Sequence, residues 1–179
     1  MCSGAGTHEG GRMLLTEEIK QFVLDQRLAY HATVNPDGTP NLSHKGTTSI
    51  YDDEHLFFAD IRSPQTVANL RSNPAIEVNV VDIFSRRGYR FTGAATVHEH
   101  DDVYRRGLEL LRERDYGAYG DRVRSIVLIR VQAAEHMTSP AYDTGQTEAE
   151  LVEHYIGYYV GLHRNGGNES RRQDGLSSA

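Results

Sequence analysis

The sequence predicts a mainly β protein of the α+β class, an antiparallel barrel of about six strands with flanking helices. Two observations lead to this prediction. Several short segments alternate apolar and polar residues and are joined by hairpin-type turns. Helical patterns lie between some of these segments, but strand and helix do not alternate regularly, as a doubly wound parallel sheet would require.

Length, charge and cysteine content limit the classes of function. The 179 residues suffice for one domain with a sizeable core, and the net charge of −6 argues against a broad nucleic-acid or anionic-membrane surface. Cys2 is the single cysteine, which excludes an internal disulfide framework and fits a reducing compartment. We find neither a long apolar run nor a secretory signal, so we expect a cytoplasmic protein.

The domain organisation follows from composition. Residues 1–12 are glycine-rich and without periodicity, and we interpret them as a flexible N-terminal tail. Residues 13–163 contain the patterned segments and form the single predicted domain. Residues 164–179 are polar and rich in glycine and serine, which is typical of a disordered C-terminal tail.

The first elements can be taken in order. Thr16 is placed to cap a helix. A strand is predicted over residues 29–34, and the turn that follows, residues 35–38, has proline and glycine where such turns favour them. A long, polar strand is predicted over 39–51 and a short one over 55–60.

A helix is predicted directly after the short strand. Ser63 can cap it, and Pro64 then occupies the first helical position, where its missing N–H is harmless. Val67 and Leu70 are spaced to face a core, and Asn73 precedes a proline, which ends the helix.

The remaining elements follow the same logic. The pattern predicts strands over 75–82, 89–99 and 125–137 and helices over 101–114 and 147–163. Gly93 lies inside one of these strands, which indicates a bulge or a barrel corner.

Two neighbouring features point to a site for an anionic ligand. A strand that runs into a helix start carrying Arg62, Ser63 and Thr66 can present free N–H groups and a positive dipole end to a phosphate, although a capped surface helix has the same pattern. On the long strand, alternation places Ser43, Lys45 and Thr47 on one face. We expect this polar row to face a ligand rather than solvent.

Four segments in this order resemble the pyridoxamine 5′-phosphate oxidase-like, FMN-binding split-barrel flavoproteins. They are VNPDGTPNLSHKG, LFFADIRSPQTVANLRSNPAIEVNVVD, GYRFTGAATV and SPAYDTG. The resemblance covers roughly residues 15–160. It implies a six-stranded antiparallel split barrel, a homodimer, and FMN bound non-covalently at the subunit interface.

The resemblance also implies the residues of the flavin site. The phosphate of FMN lies in this family against the strand-to-helix segment, and groups on the long strand complete the site, with Gly46 allowing close approach of the flat ring. Arg87 or Arg90 could reach the ring edge or the phosphate. The remaining implied residues are Ser43, Lys45, Thr47, Asp60, Ile61, Arg62, Ser63 and Thr66.

The chain departs from the oxidase proper at two places. Pro64 and Gln65 stand where the oxidase has a basic pair after its phosphate serine, and the chain has no tryptophan. We therefore predict an FMN-dependent oxidoreductase acting on an unidentified small substrate, with a nicotinamide or deazaflavin co-substrate. The alternatives are a reductase that uses a deazaflavin coenzyme in the same groove, and a flavin- or haem-binding carrier or sensor without turnover.

Two further groups of residues receive an interpretation from the sequence. The run from His98 to Asp102 contains metal-ligating side chains, but two histidines without a third fixed ligand favour a surface turn over a zinc site. Aromatic residues on a late strand and the last helix exceed what a small monomer leaves exposed and favour a homodimer. They are Tyr89, Phe91, Tyr155 and Tyr158.

Overall fold

The computed structural model of the protein describes residues 14–114 and 116–173, and it describes no side chains for 118, 119 and 165–173. The predicted N-terminal tail, residues 1–12, and the end of the C-terminal tail, residues 174–179, lie outside the described residues.

Four α-helices of the described residues flank the sheet. Thr16 caps the first as predicted, since its hydroxyl accepts a hydrogen bond from the Ile19 amide. The last helix continues past its expected end near residue 163. The helices are α1 (Glu17–Asp25), α2 (Pro64–Ser72), α3 (Asp102–Glu113) and α4 (Glu148–Gln173), with short 3-10 helices at Gly117–Arg122 and Pro140–Thr144.

One antiparallel sheet of seven strands forms the body of the domain, in the order β2-β1-β5-β6-β7-β4-β3. It curls into a split barrel, as the resemblance implied. The strands are β1 (Ala29–Val34), β2 (Pro40–Lys45), β3 (Ser49–Ile50), β4 (His55–Asp60), β5 (Ala75–Asp82), β6 (Arg87–His98) and β7 (Ser125–Thr138).

The prediction of six strands was wrong by one. The long strand expected over 39–51 is two strands, β2 and β3, and they lie at opposite edges of the sheet. Residues 46–48 join them, so this crossing segment spans from one edge to the other. Lys45 and Ser49 can be at most about 15 Å apart along the chain, whereas the edges of a flat seven-stranded sheet would be about 29 Å apart. The short connection therefore requires the sheet to curl until its edges meet.

The longest strand pair, β6–β7, contains the predicted irregularity. The register shifts between Thr92 and Gly93, where β7 carries one extra residue. A Cβ on Gly93 would lie 2.4 Å from the Arg130 carbonyl oxygen, so only glycine allows this close approach of the two strands.

The core lies inside the curled sheet and beneath α2. Phe58 and Phe91 are large, fully buried side chains of this core, and Val67 and Leu70 of α2 are buried as predicted. Phe57 is also fully buried but lies in a second cluster, with Leu111 of α3. Phe91 was expected at a dimer surface, and that expectation was wrong, because its strand turns this face inward.

No helix of the described residues is long and apolar enough to cross a membrane.

Candidate functional site

The hydroxyl of Thr47 joins the crossing segment to β4, the strand next to the β3 edge. Thr47, in the crossing segment, accepts a hydrogen bond from the Ala59 amide at 3.1 Å and donates one to the Ala59 carbonyl at 3.4 Å. The side chain of Thr47 thus occupies the place of a neighbouring strand beside β4. It fixes the end of β2 against the end of β4, where the chain enters α2.

A pocket of about 440 Å³ opens at this meeting point. The crossing segment, the end of β4 and the start of α2 form its walls. Its lining residues are Asn41, Ser43, His44, Lys45, Gly46, Thr47, Ala59, Ile61, Arg62, Ser63, Pro64, Gln65 and Thr66. We call it the Lys45 pocket.

The polar row predicted on the long strand lines this pocket. Pairing of β2 with β1 places Ser43 and Lys45 on the inner face, opposite the buried residues His31 and Ala29. The Lys45 ammonium donates to the Ser43 hydroxyl at 2.7 Å, and that hydroxyl lies 3.1 Å from the hydroxyl of Thr66 on α2. A hydrogen-bonded chain therefore connects β2 with the first turn of α2.

Lys45 is a cation that is almost completely buried, with 6% of its surface exposed. Burial lowers the pKa of its ammonium, and the charge of Asp60 acts in the opposite direction. Within the described residues it forms no ion pair; its contacts are the Ser43 hydroxyl and the face of the Phe58 ring. A buried ammonium without a paired carboxylate is costly unless an anion from outside the chain compensates it.

Ser63 occupies the N-cap position of α2, but the prediction that its side chain caps the helix was wrong. Its hydroxyl makes no capping hydrogen bond. Its amide instead donates to the Asp60 carboxylate at 2.8 Å, which draws the backbone into a non-capping conformation. The first-turn N–H groups of Gln65 and Thr66 thus have no side-chain acceptor at the N-cap, and they lie where the pocket opens.

Of the other residues predicted on this segment, two line the pocket and one supports it without lining it. Asp60 is buried and holds the turn into α2, so it shapes the pocket without lining it. Ile61 and Arg62 line the pocket, and Arg62 is exposed and unpaired within the described residues.

Helix α2 is held to the sheet by a buried amide. Asn69 is 1% exposed, and its side chain donates to the Thr33 hydroxyl at 3.1 Å and to the Asn35 side chain at 2.9 Å. Gln65, where the oxidase has a basic residue, donates to Asn69 at 2.8 Å. Its amide therefore supports the helix start that lines the pocket.

Sequence reasoning missed three polar lining residues, Asn41, His44 and Gln65. Asn41 lies on the same face of β2 as Ser43 and Lys45, so strict alternation would have found it. His44 reaches the pocket from the other face, and no sequence pattern indicates that.

Arg87 and Arg90 do not reach the Lys45 pocket. Arg90 pairs with Glu77 and Glu135 on the neighbouring strands. Arg87 pairs with Glu148 at 2.6 Å and lines a second groove. Within this chain the structure therefore separates both arginines from the site that the resemblance assigned to them.

Two residues outside the pocket lining, Arg114 and His31, also contact the crossing segment. The Arg114 guanidinium donates to the Thr48 carbonyl at 3.1 Å and to the Leu24 carbonyl at 2.6 Å. The Thr48 hydroxyl lies 3.4 Å from Nε2 of His31, which is fully buried. Burial, and next the charge of Lys45, lower the pKa of His31 to about 3.

The histidine-rich run at the start of α3 is engaged in local structure. Nδ1 of His98 lies 2.8 Å from the Asp101 carboxylate, and Asp101 caps α3 through the Tyr104 amide. Among the described residues, no three histidine, cysteine or acidic side chains are grouped so that they could hold a metal ion.

Comparison with known families gives one match that spans most of the chain. The family model of pyridoxamine 5′-phosphate oxidase matches residues 15–154. A comparison with curated protein sequences gives no significant match.

Three solved structures illustrate the range of proteins that share this fold. HupZ of Group A Streptococcus is 28% identical, with 69% of this chain and 94% of HupZ covered and a TM-score of 0.61. An FMN-binding protein of Syntrophomonas wolfei is 12% identical (68% and 86% covered, TM-score 0.58). HutZ, the haem storage protein of Vibrio cholerae, is 21% identical (69% and 94% covered, TM-score 0.55).

The buried histidine behind the pocket predicts a pH dependence of stability. Its pKa is about 3 in the folded protein and about 6.5 in the unfolded chain, so between these values the unfolded chain binds the extra proton. The free energy of unfolding should therefore fall as the pH drops below about 6.5, by up to about 1.4 kcal/mol per pH unit from this one group. His31→Gln should reduce that slope by up to about 1.4 kcal/mol per pH unit, which corresponds to about one proton taken up on unfolding. Urea unfolding between pH 7 and 4 measures the slope.

The matched control is His163→Gln, at an exposed histidine on α4. This variant should keep the slope of the natural protein. An unchanged slope in His31→Gln would contradict the assignment of His31 as a buried neutral group.

Proposed function

Because this chain belongs to the pyridoxamine 5′-phosphate oxidase-like family of FMN-binding split-barrel proteins, we propose that the Lys45 pocket binds the phosphate of FMN non-covalently. The main support for this proposal is the environment of the Lys45 ammonium. Its ammonium is buried beside two hydroxyls and has no paired carboxylate within the described residues. A phosphate dianion supplies the missing charge and accepts hydrogen bonds from these groups.

The other groups around the pocket fit a phosphate. The uncapped start of α2 offers backbone N–H groups at the positive end of the helix dipole. The Ser63 hydroxyl makes no cap bond, and the exposed Arg62 guanidinium lies on the same wall. These donors, together with Lys45, exceed what a neutral ligand requires.

We further propose that the protein is an FMN-dependent oxidoreductase acting on a small substrate. FMN, when bound, supplies the electron transfer, with a nicotinamide or a deazaflavin as co-substrate. The chain's own residues bind the phosphate and orient the ring, and Gly46 in the crossing segment lets the backbone approach it closely.

The proposed assembly is a homodimer with each flavin site at the subunit interface. Leu42, 68% exposed, and Tyr30 and Val34 lie on the outward face of the β1–β2 pair. A second apolar surface on α4 includes Ile156 and Val160. Two-fold pairing would bury such surfaces and close the open side of the pocket.

Lys45→Met tests the phosphate assignment. The substitution keeps the aliphatic stem and removes the charge, so FMN affinity should fall by about 1.5–3 kcal/mol, or about 10–150-fold. Affinity for riboflavin, which lacks the phosphate, should change little. Fluorescence titration of both flavins measures the two effects.

Lys20→Met is the matched control because Lys20 is the only other lysine and pairs with Glu17 and Asp53 on the surface. This control should bind FMN as the natural protein does. Equal losses of FMN and riboflavin affinity in Lys45→Met would place the phosphate elsewhere.

Light scattering tests the assembly. We expect a mass of two chains, with dissociation on dilution and a lower dissociation concentration when FMN is present, because a shared ligand stabilises the dimer. Leu42→Lys should weaken dimerisation and FMN binding together. A monomer at micromolar concentration that still binds FMN would refute the shared site.

A further inference from the structure

A second groove, of about 390 Å³, lies between the β5–β6 turn and the 3-10 helix Pro140–Thr144. Its walls are mainly apolar, from Val81, Ile83, Met137 and Pro140, and Arg86 and Arg87 line it as well. We call it the arginine groove. It shares no lining residue with the Lys45 pocket.

Both guanidinium groups are held in place by aromatic rings. The Arg86 guanidinium carbon lies 4.8 Å from the centre of the Tyr155 ring, and that of Arg87 lies 4.8 Å from the centre of the Tyr142 ring. The Tyr142 hydroxyl donates to the Ser85 carbonyl at 2.6 Å, which fixes this ring to the turn. Stacking on a ring face leaves the N–H edges of a guanidinium open to a planar oxyanion.

The charges at the groove are not balanced. Glu148 pairs with Arg87 through one terminal nitrogen, and Nε of Arg87 is enclosed without a hydrogen-bond partner in the described part of the chain. Arg86 pairs with no carboxylate among the described residues, and the nearby Asp82 accepts from the Phe84 amide. One positive charge therefore remains beside an apolar wall.

The backbone at Arg86 is strained. Its φ of 59° lies in the left-handed region, where glycine would be unstrained. The turn imposes this conformation, since the Arg86 amide donates to the Asp82 carbonyl at 2.9 Å and the Arg86 carbonyl accepts from the Ser139 amide at 3.1 Å. An arginine at a position that suits glycine indicates that its side chain has a use that offsets the strain.

We propose that the arginine groove binds a small organic acid, with its carboxylate or phosphate on Arg86 and Arg87 and its apolar body along the opposite wall. The oxyanion balances the free charge of Arg86 and receives hydrogen bonds from fixed donors. The apolar walls favour an anion with a hydrocarbon or aromatic body over inorganic phosphate. The groove shares no lining residue with the Lys45 pocket, so this proposal does not rest on the assignment of the phosphate to Lys45.

Titration of the full-length protein with benzoate, phenyl phosphate, acetate and benzamide, followed by amide chemical shifts, tests the proposal. Benzoate or phenyl phosphate should bind at least tenfold more tightly than neutral benzamide or acetate, and the tighter of the two identifies the oxyanion. Arg86→Gly should lower the affinity for that anion at least tenfold and raise the melting temperature, because glycine removes the strain. Arg86→Lys keeps the charge and should lose less affinity.

Arg105→Gln is the control, since Arg105 is exposed on α3 and pairs with Asp102. It should bind the probes as the natural protein does. Equal binding of benzoate and benzamide, no binding of either anion, or unchanged affinity in Arg86→Gly would overturn the proposal. A lower melting temperature in Arg86→Gly would also overturn it, because Arg86 would then serve the fold.

Discussion

The hydrogen bonds of the Thr47 hydroxyl with the backbone of Ala59 are the constraint on which the rest of the site depends. The two edge strands of the sheet are consecutive in the chain, and three residues connect them. Closure at Thr47 brings the polar face of β2 to the start of α2. The contact between the Ser43 and Thr66 hydroxyls joins the same two elements. Lys45 and the N–H groups of α2 therefore line one pocket, and neither alone is a binding site for a dianion.

Closure also leaves the buried charge of Lys45 only partly compensated within the chain. A buried ammonium loses hydration, and the Ser43 hydroxyl replaces only part of it. The surrounding backbone is fixed on both sides of the pocket, because Arg114 bonds to the crossing segment and Asn69 attaches α2 to β1. A site with this unmet charge should be more stable with an anion bound than without one.

Local patterns predicted most of the elements and half of the site. Alternation placed Ser43 and Lys45 on one face, and Pro64 marked the start of α2, because both features depend on near neighbours in the chain. The break at residues 46–48 and the position of Phe91 depend on contacts between distant segments. The free hydroxyl of Ser63 follows instead from the local hydrogen bond between the Ser63 amide and Asp60, which the cap pattern does not reveal. Arg87 and Arg90 were assigned by resemblance, and their partners Glu148 and Glu135 lie on elements that local patterns do not relate to them.

Phosphorus NMR of bound FMN tests the central claim most directly, because it reports the protonation of the phosphate itself. A free phosphate monoester takes up its second proton near pH 6. A phosphate held by Lys45 and the start of α2 should stay dianionic to a clearly lower pH, and this protection should be lost in Lys45→Met. A bound FMN whose phosphate titrates as it does in free solution would contradict the account.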